Sequence, residues 1–150
     1  MYDFEYQKAT DAQTAVTALK THADAKYLGG GQSLLAAMKL RLAQPSTLVD
    51  VTRIPGMTGI RSQPGVITVG AATRHADVAE SDEILRMLPA LAELAGGIGD
   101  RQVRAMGTLG GSLANNDPAA CYPAAVLGLN ATVVTERRNI AADDFFLGMY

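Results

Sequence analysis

The sequence contains a single cysteine, Cys121, which excludes an internal disulfide and a zinc site built from several cysteines. No apolar run approaches the roughly 20 residues that a membrane span needs, and the polar, acidic N-terminal stretch is unlike a signal peptide. Charged residues make up only 19%, and the net charge is −2, so nothing favours nucleic-acid binding. Together these absences predict a cytoplasmic protein.

Glycine is present in excess, at 15 of 150 residues, whereas the usual share is about 7%. The excess indicates places where the backbone needs positive φ or approaches another group closely. Hydrophobic residues account for 48%, which is enough to fill a core. The length predicts one domain, or two small lobes.

Residues 1–54 carry a pattern that alternates between strand and helix periodicity, which predicts a β-α-β-α-β unit. A capping-box match makes Thr10 the predicted N-cap of the first helix, and Ser33 the predicted cap of the second. The strands are predicted at residues 4–8, 25–28 and 47–51, and the helices at 12–23 and 34–42.

The pattern changes after Ile54, where we predict a lobe boundary. A hairpin is expected around the Gln63-Pro64-Gly65 turn, and helices follow, with a break or kink at Pro89. Residues 98–118 are predicted to be irregular. Further elements are expected as a short helix at 73–81, a helix after Ser81, a buried apolar helix at 119–129 and a buried strand at 131–135.

The first candidate site is Gly29-Gly30-Gly31-Gln32-Ser33, which lies between a predicted strand and a predicted helix. Consecutive glycines let the backbone approach a ligand and aim successive N–H groups at it, which suits a phosphate or pyrophosphate. The segment lacks the third glycine of the dinucleotide fingerprint and the Gly-Lys-Ser/Thr of a P-loop. A flexible strand-to-helix turn remains an open alternative.

The second candidate site is Thr108-Leu109-Gly110-Gly111-Ser112, which could add backbone N–H donors and two hydroxyls. A tight loop satisfied by its own side chains is the alternative. Two such segments in one short chain favour a dinucleotide, because a diphosphate needs donors from more than one side.

The remaining candidates are weaker, and no general acid and base set is evident. Cys121 begins an apolar helix and is more typical of a small buried hydrophobe than of a nucleophile. His75 has no second histidine or cysteine at metal-ligand spacing. The lack of a catalytic set suits a site whose chemistry belongs to a bound cofactor.

Four motifs, taken in order, resemble the flavin-binding medium subunits of molybdenum hydroxylases, the family of carbon monoxide dehydrogenase and xanthine dehydrogenase-like enzymes. Residues 26–34 resemble the family's "AGGxSL" loop, and residues 102–112 resemble its "VRNxGTxGG(N/S)" loop. Residues 116–120 match its "DPAAD" run, and residues 138–148 resemble its "R-x-I-x-x-x-D-F-F-x-G" segment. The resemblance spans almost the whole chain, and four motifs at family spacing are highly specific.

The resemblance implies an α+β, two-lobed FAD-binding domain of the vanillyl-alcohol-oxidase (PCMH) type, with FAD held between the lobes. The lobes are expected at residues 1–54 and 55–150. Because the family's medium subunit is nearly twice this length, its C-terminal domain is expected to be absent here.

The same resemblance implies which residues bind FAD, and it implies neither a catalytic side chain nor a metal ligand. Cys121 stands where relatives often have an aspartate that hydrogen-bonds the cofactor, and Asp117 could compensate. The implied cofactor-binding residues are Gly29, Gly30, Gly31, Gln32, Ser33, Leu34, Ile98, Gly99, Thr108, Leu109, Gly110, Gly111, Ser112 and Asp117.

The function implied by the resemblance is that of an FAD-dependent oxidoreductase subunit. Electrons would arrive from a molybdopterin-containing large subunit through a [2Fe–2S] small subunit, and the flavin would pass them to an external acceptor. The full complex is expected to be a dimer of heterotrimers. Two alternatives stay open: a cofactor-free scaffold or interaction module, and a flavin reductase of the cell-wall precursor type, for which no catalytic Ser and Glu pair is evident.

Overall fold

A three-stranded parallel sheet organises the first part of the chain. The computed structural model describes residues 1–148. The elements alternate as predicted: β1 (Glu5–Lys8), α1 (Ala12–Thr21), β2 (Lys26–Leu28), α2 (Leu34–Lys39) and β3 (Thr47–Asp50). The strand order is β1-β3-β2, and the central β3 pairs in parallel with both neighbours. Its central position explains why β3 is the most buried of the three strands.

Helix α1 begins at Ala12, as predicted, but its N-cap is Asp11 rather than Thr10. The Asp11 carboxylate accepts hydrogen bonds from the Thr14 N–H at 2.7 Å and from the Thr14 hydroxyl at 2.9 Å. A carboxylate caps helix amides well and also interacts favourably with the helix dipole. The Thr10 hydroxyl instead donates to the Asp11 carboxylate.

The next segment contains the predicted hairpin and the predicted helices. Strands β4 (Ile60–Gln63) and β5 (Val66–Val69) pair antiparallel. They are followed by α3 (His75–Ala79), α4 (Asp82–Met87) and α5 (Pro89–Gly96). The break at Pro89 is confirmed, because the proline is the first residue of α5, where its missing N–H costs nothing.

The prediction of an irregular segment at 98–118 is wrong, because α6 (Arg101–Met106) and α7 (Leu109–Asn115) lie there. Side chains cap both helices. The Asp100 carboxylate accepts from the Val103 N–H at 2.8 Å, and the Thr108 hydroxyl accepts from the Gly111 N–H at 3.2 Å. The Thr108 cap offsets the low helix propensity of the glycines in α7.

The last described elements are α8 (Cys121–Gly128), β6 (Thr132–Val134), β7 (Asn139–Ala141) and α9 (Ala142–Phe145). Three burial predictions are wrong here. Only Tyr122 and Val126 of α8 are buried, Cys121 is exposed, and Val134 of β6 is 73% exposed. An apolar composition raises the chance of burial, but neighbouring elements decide which face is covered.

Two separate clusters of buried side chains form the core. The first comprises Ala9, Ala15, Val49 and Ile54. The second comprises Val78, Ile84, Leu91, Ala92, Ala95, Leu113, Tyr122, Val126 and Ala142. None of the helices within residues 1–148 combines the length and apolarity that crossing a membrane requires.

Candidate functional site

The first glycine segment, residues 29–34, follows the carboxyl end of β2 and leads into α2. Ser33 occupies the N-cap position of α2, but its side chain makes no capping hydrogen bond. Gly29 to Gly31 are half-buried, whereas Gln32 and Ser33 are exposed. In open sheets with parallel strands, ligands bind beyond the carboxyl ends of the strands, which is where this segment lies.

The backbone N–H groups of the first glycine segment have no acceptor within residues 1–148. The segment's carbonyls, in contrast, are used: Gly31 accepts from the Leu35 N–H at 3.1 Å, and Ser33 accepts from the Ala37 N–H at 3.0 Å. The segment therefore presents a continuous run of unpaired donors, which is the chemistry that an anionic ligand requires.

The second glycine segment, residues 107–112, has most of its backbone donors in use. The Leu109 N–H donates to the Thr73 carbonyl at 3.0 Å, and the Gly110 N–H donates to the Ala71 carbonyl at 2.8 Å. Two more amides, those of Gly111 and Ser112, donate to the Thr108 hydroxyl and carbonyl. The expectation that this segment offers free amides is therefore wrong for residues 109–112, because a distant stretch of backbone and a helix cap accept from them.

The two glycine segments meet in the structure. A Cβ at Gly30 would overlap the Met106 carbonyl and lie 2.5 Å from the Gly107 Cα. A Cβ at Gly29 would lie 3.0 Å from the Thr108 hydroxyl oxygen. Gly30 is therefore required by the close approach of two backbones. We call this contact between Gly29–Gly30 and Met106–Thr108 the glycine junction.

These observations fit a dinucleotide cofactor with a diphosphate. The unpaired amides of residues 29–34 supply neutral donors that an anion could accept from. The Ser112 side chain, which lies in the first turn of α7, adds a half-buried hydroxyl. The Thr108 hydroxyl is almost fully buried and is already engaged with Gly111.

Ile98 and Gly99 lie between α5 and α6, away from the glycine junction. The Arg104 guanidinium donates from one nitrogen to both of their carbonyls, at 3.1 Å each. Helix α6, which has six residues and ends at Met106, spans about 9 Å between these carbonyls and the glycine junction. Cofactor contact by Ile98 and Gly99 stays a prediction, and sequence reasoning missed the support from Arg104.

Asp117 lies in the link between α7 and α8. Its carboxylate accepts from the Ala119 N–H at 2.8 Å, and its carbonyl accepts from the Ala120 N–H at 2.9 Å. The side chain therefore stabilises the turn that precedes α8, where Cys121 is exposed. A direct role for Asp117 at the cofactor stays a prediction.

Sequence reasoning also missed the stretch from Ala71 to His75, which supports the second glycine segment. In addition to the carbonyls of Ala71 and Thr73, the His75 N–H donates to the Gly107 carbonyl at 2.9 Å. The His75 ring is buried, and this desolvation lowers its pKa below the usual value. No local sequence signal pairs this stretch with residues that follow some 35 positions later.

Comparison with known proteins identifies the family. Residues 2–150 match the family described as the FAD binding domain in molybdopterin dehydrogenase, and the chain belongs to that family. It is 43% identical, over 98% of its length, to the carbon monoxide dehydrogenase medium chain of Hydrogenophaga pseudoflava. It is 39% identical, over 97% of its length, to the nicotine 6-hydroxylase medium subunit of Paenarthrobacter nicotinovorans.

Solved structures give the same result. A carbon monoxide dehydrogenase from Hydrogenophaga pseudoflava superposes with a TM-score of 0.95 at 42% identity, over 99% of this chain and 53% of that chain. Quinoline 2-oxidoreductase from Pseudomonas putida 86 superposes with a TM-score of 0.92 at 32% identity, over 97% of this chain and 53% of that one.

The chain spans about half the length of the curated relatives it matches, 53% for the two medium subunits named above. The resemblance read from the four sequence motifs is confirmed. Neither alternative, the cofactor-free module or the cell-wall precursor reductase, finds support among these relatives.

Proposed function

We propose that the chain binds FAD as part of the flavin-bearing subunit of a molybdenum hydroxylase-type dehydrogenase. The observation that carries this proposal is the run of unpaired amides in residues 29–34, which lies against the second glycine segment. Bound FAD would accept electrons from a [2Fe–2S] subunit and pass them to an external acceptor, so the redox chemistry belongs to the cofactor.

The chain's own residues bind and orient the cofactor. The first glycine segment donates its N–H groups to the diphosphate, and the Ser112 hydroxyl adds a further bond. The second glycine segment acts mainly as a support, because the amides of residues 109–112 are already paired. The first glycine segment is therefore the principal anion-binding element in this proposal.

We also propose that the fold is of the vanillyl-alcohol-oxidase (PCMH) type, with lobes at 1–54 and 55–150. Two features support the division: the parallel sheet lies wholly before residue 54, and the two buried clusters are separate. Met57, which follows the boundary, still packs against the first cluster. Met149 and Tyr150, at the end of the second lobe, lie outside the described residues.

The proposed partners are a molybdopterin-containing large subunit and a [2Fe–2S] small subunit, assembled as a dimer of heterotrimers in the cytoplasm. Support comes from the relatives, which are named as medium chains or medium subunits of dehydrogenases and hydroxylases. The substrate of the complex would be set by the molybdenum subunit, outside this chain.

The first experiment is a visible absorption spectrum of the purified chain before and after incubation with FAD and desalting. Retained flavin bands that bleach with dithionite are expected. A well-folded sample that retains no flavin would count against cofactor binding by this chain and would favour the cofactor-free module.

A charge-specific pair of variants tests the first segment directly. Ser33→Asp and Ser33→Asn have similar size, and both residues are favoured at a helix N-cap, so folding should be similar. Only Ser33→Asp adds a negative charge beside the proposed diphosphate, which should raise the Kd for FAD about tenfold or more relative to Ser33→Asn. Equal affinities would count against a diphosphate at residues 29–34.

A further inference from the structure

Two buried polar atoms without a hydrogen-bond partner lie on neighbouring rings near the glycine junction. His75 begins α3 and is 5% exposed, whereas Tyr122 on α8 is fully buried. Their ring centroids are 5.3 Å apart at an angle of 44°. Within residues 1–148, the His75 Nδ1 and the Tyr122 hydroxyl make no hydrogen bond.

Such atoms are rare in folded proteins, because a buried polar group without a partner costs about 1–3 kcal/mol. An internal water molecule commonly satisfies buried groups of this kind, and it needs at least two polar partners. The His75 Nδ1 and the Tyr122 hydroxyl are two such polar atoms, on rings whose centroids are 5.3 Å apart. Burial lowers the pKa of His75 and raises that of Tyr122, so both side chains are neutral at pH 7.

His75 also touches the glycine junction. Its backbone N–H donates to the Gly107 carbonyl at 2.9 Å. A Cβ at Gly107 would lie 2.5 Å from the His75 ring nitrogen Nε2. Gly107 in turn lies against Gly30 in the first glycine segment. A continuous line of contacts therefore runs from Tyr122 through His75 and Gly107 to Gly30.

We propose that one internal water molecule bridges His75 Nδ1 and the Tyr122 hydroxyl, and that this bridge positions Gly107 beneath the first glycine segment. The phenol donates to the water, the water donates to Nδ1, and Nε2 carries the imidazole proton. His75 and Tyr122 are positioning residues, since they act on the cofactor segment through Gly107. The cofactor part of this inference rests on the proposed function.

A double-mutant cycle without FAD tests the bridge. Tyr122→Phe removes only the hydroxyl, and His75→Leu removes the imidazole nitrogens. The double variant's unfolding equilibrium constant should differ at least about threefold from the product of the two single effects. The reason is that either change alone leaves the other side chain's polar atom unpaired. His75→Asn, which keeps a polar group near Nδ1, should retain the coupling to Tyr122. Additive effects would overturn the bridge.

Nuclear magnetic resonance identifies the bridging group. A long-lived water should give cross-relaxation to the Tyr122 ring in the wild type and lose it in Tyr122→Phe. If the effects are non-additive but no such water signal is seen, the two side chains are hydrogen-bonded directly to each other, and the water site is overturned.

FAD affinity tests positioning, with Val126→Ala as the control, since Val126 is buried on the same helix but lies outside the line of contacts. Tyr122→Phe should weaken FAD binding about threefold or more, whereas Val126→Ala should lower the melting temperature with the Kd unchanged. Equal changes in Kd would overturn the positioning role. If the wild type binds no FAD, the proposed function and the positioning role fall together, while the stability cycle still decides on the bridge.

Discussion

The two glycine segments look alike in sequence but differ in how their backbone donors are used. Residues 29–34 leave their amides unpaired, whereas residues 109–112 have theirs bound to Thr73, Ala71 and Thr108. Both contain adjacent glycines, and both lie at the start of a helix. Under the proposed function their roles therefore diverge: the first would present donors to a ligand, and the second would support the first.

The difference shows that a glycine-rich loop has two physical explanations that composition cannot separate. Glycine permits close approach to a ligand, and it equally permits close approach to another backbone. Gly30 is an example of the second, because the Met106 carbonyl occupies the space that its Cβ would fill. The acceptor of each backbone N–H group distinguishes ligand approach from backbone approach.

Amide hydrogen exchange should give the largest difference between the segments. Unpaired amides of residues 29–34 should exchange faster than the paired amides of residues 109–112, by on the order of a hundredfold or more. Adding FAD should slow the first segment and leave the second almost unchanged. If the amides of both segments exchange at similar rates without FAD, the two segments do not differ in how their amides are paired.

Gly30→Ala should have the next largest effect, because the new methyl group would meet backbone atoms that cannot rotate away. We expect a loss of about 1–3 kcal/mol in the free energy of unfolding, measured by urea denaturation, and weaker FAD binding. Gly128→Ala is the matched control, since a Cβ there meets nothing within 4 Å. If both variants behave alike, the glycine junction is not a tight contact.

Thr108→Val should cost about 1–2 kcal/mol of stability, because it removes the buried acceptor for the Gly111 N–H while keeping the side-chain shape. Thr108→Ser keeps the hydroxyl and should cost less. If the second segment is mainly a support, FAD affinity should change less than stability does. A large loss of affinity with normal stability would instead make Thr108 a direct ligand.

The smallest effect concerns pH. Because burial lowers the pKa of His75, the unfolded chain binds a proton below about pH 6.5 more readily than the folded chain. Stability should therefore be full above that pH and fall as the pH drops towards 5, with a slope below about 1.4 kcal/mol per pH unit. His75→Gln should flatten this slope in urea titrations at each pH. An unchanged slope would mean that another group titrates.

Local patterns were sufficient for much of the fold. The alternation of strands and helices before residue 54, the hairpin around Gly65 and the break at Pro89 all follow from short-range periodicity and turn chemistry. Helices α6 and α7 were missed, the latter because two glycines outweighed a capping threonine. The signal was present, since Asp100 and Thr108 are both favoured N-cap residues.

The candidate site was only partly predictable. Motif resemblance correctly identified the family and suggested that the two glycine segments cooperate. The pairing of Leu109 and Gly110 with the stretch at 71–73 depends on tertiary structure, so no local pattern could reveal it. Burial was hard to predict for the same reason, because Cys121 and Val134 sit in apolar stretches yet are exposed.

The glycine junction has a consequence for how the chain acquires its binding site. Gly30 and Gly107 are separated by about 80 residues, and closing so long a loop is entropically unfavourable and slow compared with forming a local helix or hairpin. The sheet of the first part and the helices of the second can each form before this contact is made. Under the proposed function, a complete flavin site would therefore require this long-range contact to be made, so flavin binding would report on it.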